Sequence, residues 1–153
     1  MKLARYQTHG FIPIAEPPAT RRNLAATVTI VKGDVIEDNG SGYLTNADTS
    51  FAITHKGVAA AGVVGDSSTK YVEYYPFDTK TQYSVPVGYS AVITRDAIGS
   101  NVDLYTNDDI DISDVETEGI AFAIDDIDIS AEALVANSRG YAIGHFVVLG
   151  AQA

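Results

Sequence analysis

Tyr141–Leu149 (YAIGHFVVL) and Ile120–Ile124 (IAFAI) are the two stretches that decide the fold. The first is rich in β-branched and aromatic residues, which favour strands. In the second, alternation places Ile120, Phe122 and Ile124 on one face of a strand. Both stretches therefore predict strands that direct one face toward a core.

Shorter strand patterns occur from Ala26 onward, separated by Gly, Asn, Asp and Ser about every 8–12 residues. They are Ala26–Val31, Asp34–Ile36, Tyr43–Thr45, Gly57–Val64, Lys70–Phe77, Gln82–Val87 and Val102–Tyr105. Pro86 restricts its segment to a sheet edge or a strand end, because proline has no amide N–H. Two helical turns are predicted at Ser130–Ala136, with Ser130 as the N-cap. We therefore expect an all-β fold: a single compact β-barrel or β-sandwich of about eight to ten short strands, with one short helix and an extended N-terminal arm.

The composition is that of a single globular domain. The chain has 153 residues, of which 46% are hydrophobic and 20% charged. It has no cysteine, which excludes a disulfide scaffold, a thiolate zinc site and a thiol nucleophile. The longest apolar run, Gly57–Gly65, is too short to cross a bilayer, and the first ten residues do not resemble a signal peptide. We expect synthesis in the cytoplasm.

The charge is unevenly distributed along the chain. Residues 1–25 carry four basic side chains and one acidic one, a net charge of +3, and residues 26–153 carry −13. Between Asp96 and Glu132 there are twelve acidic residues and neither Lys nor Arg. A net charge of −10 argues against a nucleic-acid partner or an anionic membrane surface.

Residues 1–25 are expected to form an extended arm, and residues 26–153 the β-rich body. Three prolines in Phe11–Ala19 remove backbone donors and disfavour a helix. The arm has large apolar side chains but no core of its own, so it either folds back on its own domain or lies along a neighbouring subunit. We predict that it binds a partner through Phe11, Ile12, Ile14, Arg21 and Arg22.

The sequence contains no pattern typical of a catalytic site. Neither the phosphate-binding loop nor the three-glycine dinucleotide motif occurs, and Gly40-Ser41-Gly42 lacks the glycine spacing of a nucleophile elbow. His9, His55 and His145 have no paired spacing on any predicted element. We therefore expect no enzymatic activity, no catalytic residues and no cofactor.

The hexapeptide Asp-Asp-Ile-Asp-Ile-Ser occurs twice, at Asp108–Ser113 and at Asp125–Ser130. In a strand this alternation puts carboxylates on one face and isoleucines on the other. Carboxylates are ligands that calcium prefers, but Asp114 and Ile120 occupy positions where an EF-hand needs Gly and Glu. We favour a solvent-facing strand edge whose charges prevent edge-to-edge pairing, and we predict no metal site.

A series of turn and strand segments resembles the decoration (cement, or auxiliary head) proteins of tailed-bacteriophage capsids. The resemblance covers roughly residues 33–149. The segments are Gly33–Ile36, Gly42–Thr45, Gly57–Val64, Tyr75-Pro76, Gln82–Val85, Ile98–Leu104, Gly119–Ile124 and Gly140–Phe146.

The resemblance implies a structural virion protein that binds the outer surface of a phage capsid and stabilises it. Its partners would be the major capsid protein and further copies of itself, commonly as a homotrimer, so that weak contacts add through avidity. It would be located on the capsid exterior. An acidic outward face would keep particles dispersed.

Two other functions are compatible with the residues. One is a non-enzymatic β-sandwich binding module for glycan or peptide, with or without calcium dependence, in which Tyr71, Tyr74, Tyr75 and Tyr83 line a sugar platform. These tyrosines could equally pack across strands. The other is a different virion component, such as a head-fibre base or a tail subunit.

Overall fold

A computed structural model describes residues 9–25, 27–47, 55–65, 70–88, 91–117 and 119–149. The all-β prediction is confirmed. The described residues form thirteen strands, a single 3-10 turn at Arg95–Ala97 and one α-helix. The elements are β1 (Ile12–Pro13), β2 (Thr20–Asn23), β3 (Thr29–Ile30), β4 (Val35–Asp38), β5 (Leu44–Asn46), β6 (His55–Ala59), β7 (Val63–Val64), β8 (Tyr71–Pro76), β9 (Gln82–Pro86), β10 (Asn101–Thr106), β11 (Asp109–Val115), β12 (Gly119–Asp128), α1 (Ala131–Ala136) and β13 (Tyr141–Leu149).

The two longest strands, β12 and β13, form the middle of a six-stranded sheet with the order β1-β9-β13-β12-β10-β11. They pair antiparallel, with Phe122 opposite Phe146. Phe122 and Ile124 are buried and Ile120 packs against the same core, as the alternation predicts. Gly144 is required here, because a Cβ at this position would lie 2.0 Å from the carbonyl oxygen of Ala123.

The second sheet has five strands in the order β2-β8-β6-β4-β5, and β3 pairs with β7 beside it. Gly57–Val64, predicted as one strand, is divided between β6 and β7, which belong to different sheets. The chain bends between them at Ala60–Ala61. The small residues of this segment allow both the bend and close packing: a Cβ on Gly57 would lie 2.1 Å from the carbonyl oxygen of Tyr75.

Two local predictions from side-chain chemistry are confirmed. Pro86 is the last residue of β9, where its missing N–H costs no ladder hydrogen bond. Ser130 caps α1, and its side-chain oxygen accepts a hydrogen bond of 3.3 Å from the backbone N–H of Ala133. The cap satisfies one of the free amide groups at the start of the helix.

Residues 9–25 are extended, and they contribute to both sheets of their own chain. Strand β1 pairs antiparallel with β9, and β2 pairs antiparallel with β8. Phe11 is 1% exposed and contacts Phe122 and Phe146, with ring centroids 5.4 and 5.2 Å apart. Of the two alternatives for the arm, the described part folds back on its own domain. Burial of Phe11 in the core of its own chain replaces the expected burial on a neighbouring subunit.

Candidate interaction surface

The apolar side chains of the predicted arm differ in how much of their surface is exposed and could contact a partner. Phe11 lies in the core and presents almost no surface. Ile12 is half-buried in β1, opposite Ser84. Ile14 is 49% exposed, although its backbone N–H donates to the carbonyl oxygen of Gln82 at 2.8 Å. Of these three residues, Ile14 therefore offers the most apolar surface.

Arg22 is engaged within its own chain. Its Nη2 donates to Asp38 Oδ2 at 2.7 Å and to the carbonyl oxygen of Gly42 at 2.9 Å. The hydrogen bond from Arg22 is the main reason that the pKa of Asp38 lies below its ordinary value. The acidic group that Arg22 faces is thus an intramolecular one, and its binding to a partner's acidic group stays a prediction without support from this geometry.

Arg21, by contrast, is exposed on the outer strand of the five-stranded sheet. Its guanidinium lies 5.4 Å from the centre of the Tyr71 ring, and Tyr71 is itself 56% exposed. Beside them, an open groove of about 370 Å³ is lined by Ala19, Thr20, Arg21 and Glu73. We call these four residues and Tyr71 the β2 surface. A planar cation over an aromatic ring, on a sheet edge, is suited to a protein partner with acidic and apolar groups.

The described acidic residues of 96–132 lie mostly on β10, β11 and β12 and beside their ends, with Asp96 in the 3-10 turn and Glu132 in α1. The charged-edge interpretation fits the first copy of the hexapeptide, because β11 forms an edge of the six-stranded sheet, whereas the second copy lies on β12, an inner strand. Carboxylate oxygens of Asp103, Asp114 and Glu116 lie within 4.8 Å of one another. Burial first, and then the charges of Asp103 and Asp111, raise the pKa of Asp114. This cluster contains oxygen ligands alone.

The histidines lie against carboxylates that the sequence does not pair with them. His145 Nδ1 is 2.8 Å from Asp125 Oδ2, and His55 Nε2 is 3.7 Å from Glu37 Oε2. His9 lies between two carboxylates: its Nε2 is 2.6 Å from Asp34 Oδ1 and its Nδ1 is 2.8 Å from Asp108 Oδ2. Sequence reasoning missed the His9 cluster, which we define as His9, Asp34 and Asp108, because no local spacing connects its members.

The four tyrosines proposed as a sugar platform do not share a surface. Tyr74, Tyr75 and Tyr83 are buried, and only Tyr71 among the four is exposed. Burial is the largest cause of the raised pKa values of Tyr75 and Tyr83. The platform prediction is wrong, and the alternative that these rings pack across strands holds for three of the four residues.

Neither the helices of the structure nor comparison with known families points to a function for this chain. No helix within the described residues is long and apolar enough to span a membrane. The chain matches no protein-family model, and no curated protein matches it. The resemblance to phage decoration proteins therefore rests on the residues themselves.

Proposed function

We propose that this protein is a structural virion protein that decorates the exterior of a tailed-phage capsid. The observation that carries the proposal furthest is the β2 surface, which presents Arg21 and Tyr71 on the outer strand of a sheet in a chain whose net charge is −10. Arg21 and Glu73 balance each other's charge on this surface, while the rest of the protein carries the acidic excess, so an acidic partner is repelled least in this one orientation.

The capsid is a suitable partner for a surface of this size. A single pair of exposed side chains contributes little, since exposed ion pairs are worth about 0–1 kcal/mol. A shell presents the same acidic and apolar groups many times, and a homotrimer binding through three β2 surfaces would gain affinity through avidity. The partners we propose are the major capsid protein and two further copies of this chain.

The remaining acidic surface fits a location on the particle exterior. The exposed acidic residues of the 96–132 region, Asp96, Asp114, Asp125, Asp126 and Glu132, would keep particles apart in solution if they face away from the shell. The role needs neither catalysis nor a cofactor, and the protein would be made in the host cytoplasm. No contact with nucleic acid or membrane is part of the proposal.

The test is co-sedimentation of the purified full chain with capsids assembled from the major capsid protein encoded in the same genome. We expect saturable binding that Arg21→Glu or Tyr71→Ala weakens by tenfold or more. Arg95→Ala, which removes an exposed arginine from the 3-10 turn, serves as the matched control and should bind like the wild type. No binding of the wild type, or equal loss in all three variants, would contradict the proposal. Immunogold label on the tail would instead identify a different virion component.

A further inference from the structure

The backbone holds the three members of the His9 cluster together. The N–H of Phe11 donates to the carbonyl oxygen of Gly33 at 2.9 Å, which fixes the segment after His9 beside the segment before Asp34. The approach is so close that a Cβ on Gly10 would lie 2.6 Å from the carbonyl carbon of Gly33. Both glycines also have positive φ, so a side chain at either position is disfavoured by the close contact and by the backbone conformation.

A second backbone hydrogen bond brings Asp108 to the same place. The N–H of Val35 donates to the carbonyl oxygen of Asn107 at 2.7 Å, and each of these residues is the neighbour of a cluster aspartate. The three side chains therefore converge because of main-chain contacts that do not depend on them. One ligand atom from each residue lies within 4.8 Å of those from the other two.

Each carboxylate of the cluster also has its second oxygen engaged. Asp34 Oδ2 accepts a hydrogen bond of 2.9 Å from the backbone N–H of Val31, and Asp108 Oδ1 accepts one from the hydroxyl of Thr106. These bonds orient the carboxylates so that Asp34 Oδ1 and Asp108 Oδ2 face His9. Donors behind the ligating groups are typical of metal sites, where they fix ligand orientation.

The chemistry of the three groups selects a class of cation. One imidazole nitrogen and two carboxylate oxygens suit Zn²⁺, whose ligands lie about 2.0–2.2 Å from the ion and hence about 3–4 Å from one another. In the structure His9 contacts the carboxylates through different ring nitrogens, Nε2 with Asp34 and Nδ1 with Asp108. Zinc binding therefore requires the imidazole to rotate until one nitrogen and both carboxylates face the ion. Mg²⁺ and Ca²⁺ prefer oxygen ligands alone. The side chain of Asp34 is 5% exposed and that of Asp108 is 25% exposed, so two negative charges are held together in a partly dry site. A divalent ion would neutralise both charges.

We propose that His9, Asp34 and Asp108 form a site for a divalent transition-metal ion, zinc in the first instance. The bound ion ties the N-terminal segment to the turn before β4 and to the turn between β10 and β11. Its role is structural: it fastens residues 9–11 to the body. This inference does not depend on the proposed function.

The probe is zinc chloride, titrated by calorimetry into the full chain without a polyhistidine tag, in a buffer that does not chelate metals. We expect one ion per chain, a higher melting temperature with zinc than with a chelator, and much weaker binding of calcium. His9→Ala and Asp108→Asn should each weaken zinc binding at least tenfold. Cobalt(II) in place of zinc should give an absorption spectrum that changes in the same variants.

Two matched controls separate this site from the other acidic groups. His145→Ala removes a histidine that contacts the carboxylate of Asp125, and Asp114→Asn alters the cluster that has oxygen ligands alone. Both should bind zinc like the wild type. Circular dichroism verifies that each variant is folded, and His9 is a safe position because its side chain is 37% exposed. Zinc binding that is absent from the wild type, or unchanged in His9→Ala, would overturn the proposal.

Discussion

Asp108–Ser113 and Asp125–Ser130 are identical in sequence, and some of their local contacts are identical too. The first aspartate of each copy lies 2.8 Å from Nδ1 of a histidine, His9 in one copy and His145 in the other. In each copy the fourth residue accepts a hydrogen bond from the backbone N–H of the sixth, at 2.9 and 3.1 Å. The hydrogen bond between the fourth and sixth residues lies within the hexapeptide, whereas each histidine contact joins the hexapeptide to a distant residue.

The burial of the two copies is different. Ile110 is fully buried in the first copy, whereas Ile127 is half-buried in the second; Ile112 is half-buried, and Ile129 is 42% exposed. The two copies lie on different strands, the first on the edge strand β11 and the second in the last part of β12, and irregular pairing adjoins both. Identical residues thus contribute differently to stability, because the neighbouring strands decide which face is covered.

The largest difference is expected between Ile110 and Ile127, the isoleucines at the third position of the two copies. Ile110→Ala removes a fully buried side chain and should lower the free energy of unfolding by about 2–5 kcal/mol. Ile127→Ala, at a half-buried position, should cost only about 1 kcal/mol. Denaturation in urea, compared at equal m-values, measures both losses. Equal costs would mean that the difference in burial between the two copies has no energetic consequence.

A smaller difference is expected between the two serines. Ser130 caps α1, so Ser130→Ala should lower the stability by about 1 kcal/mol. Ser113 is exposed, and its hydroxyl donates to Asp111 at 2.6 Å within the same strand. Ser113→Ala should therefore cost less than about 0.5 kcal/mol. Thermal melting of the two variants would refute the comparison if Ser113→Ala were the more damaging.

The smallest effect is expected for the exposed contact between His145 and Asp125. A double-mutant cycle with His145→Ala and Asp125→Asn should give a coupling energy of about 0–1 kcal/mol, because water screens the pair. The coupling should also fall as salt is raised. A coupling above about 2 kcal/mol would show that this pair is as well isolated from water as a buried one.

The sequence predicts those parts of the structure that depend on neighbours in the chain. The alternation of Ile120, Phe122 and Ile124, the cap at Ser130 and the strand end at Pro86 all follow from side-chain chemistry within a few residues. Strand β13 has the predicted bounds, whereas β12 was predicted only over Ile120–Ile124 and extends from Gly119 to Asp128. These local features are sufficient to predict an all-β fold.

Features that depend on distant residues could not be predicted. His9 and Asp34 are 25 positions apart, and their meeting depends on the close approach of Gly10 and Gly33, which no periodicity signals. The same approach places Phe11 in the core. From the sequence alone, burial of Phe11 on a partner was equally compatible, because the surrounding segment is rich in proline and has no core of its own. Arg22 was assigned to a partner because the intramolecular position of Asp38 was unknown.

The position of β13 has a consequence for the way the protein folds during synthesis. Residues 141–149 pair with β9 on one side and β12 on the other, and Phe146 contacts the ring of Phe11. The six-stranded sheet therefore cannot close until Tyr141–Leu149 has left the ribosome, although Phe11 emerges early. Until then the ring of Phe11 lacks its final packing, and such an exposed apolar group is a target for chaperones.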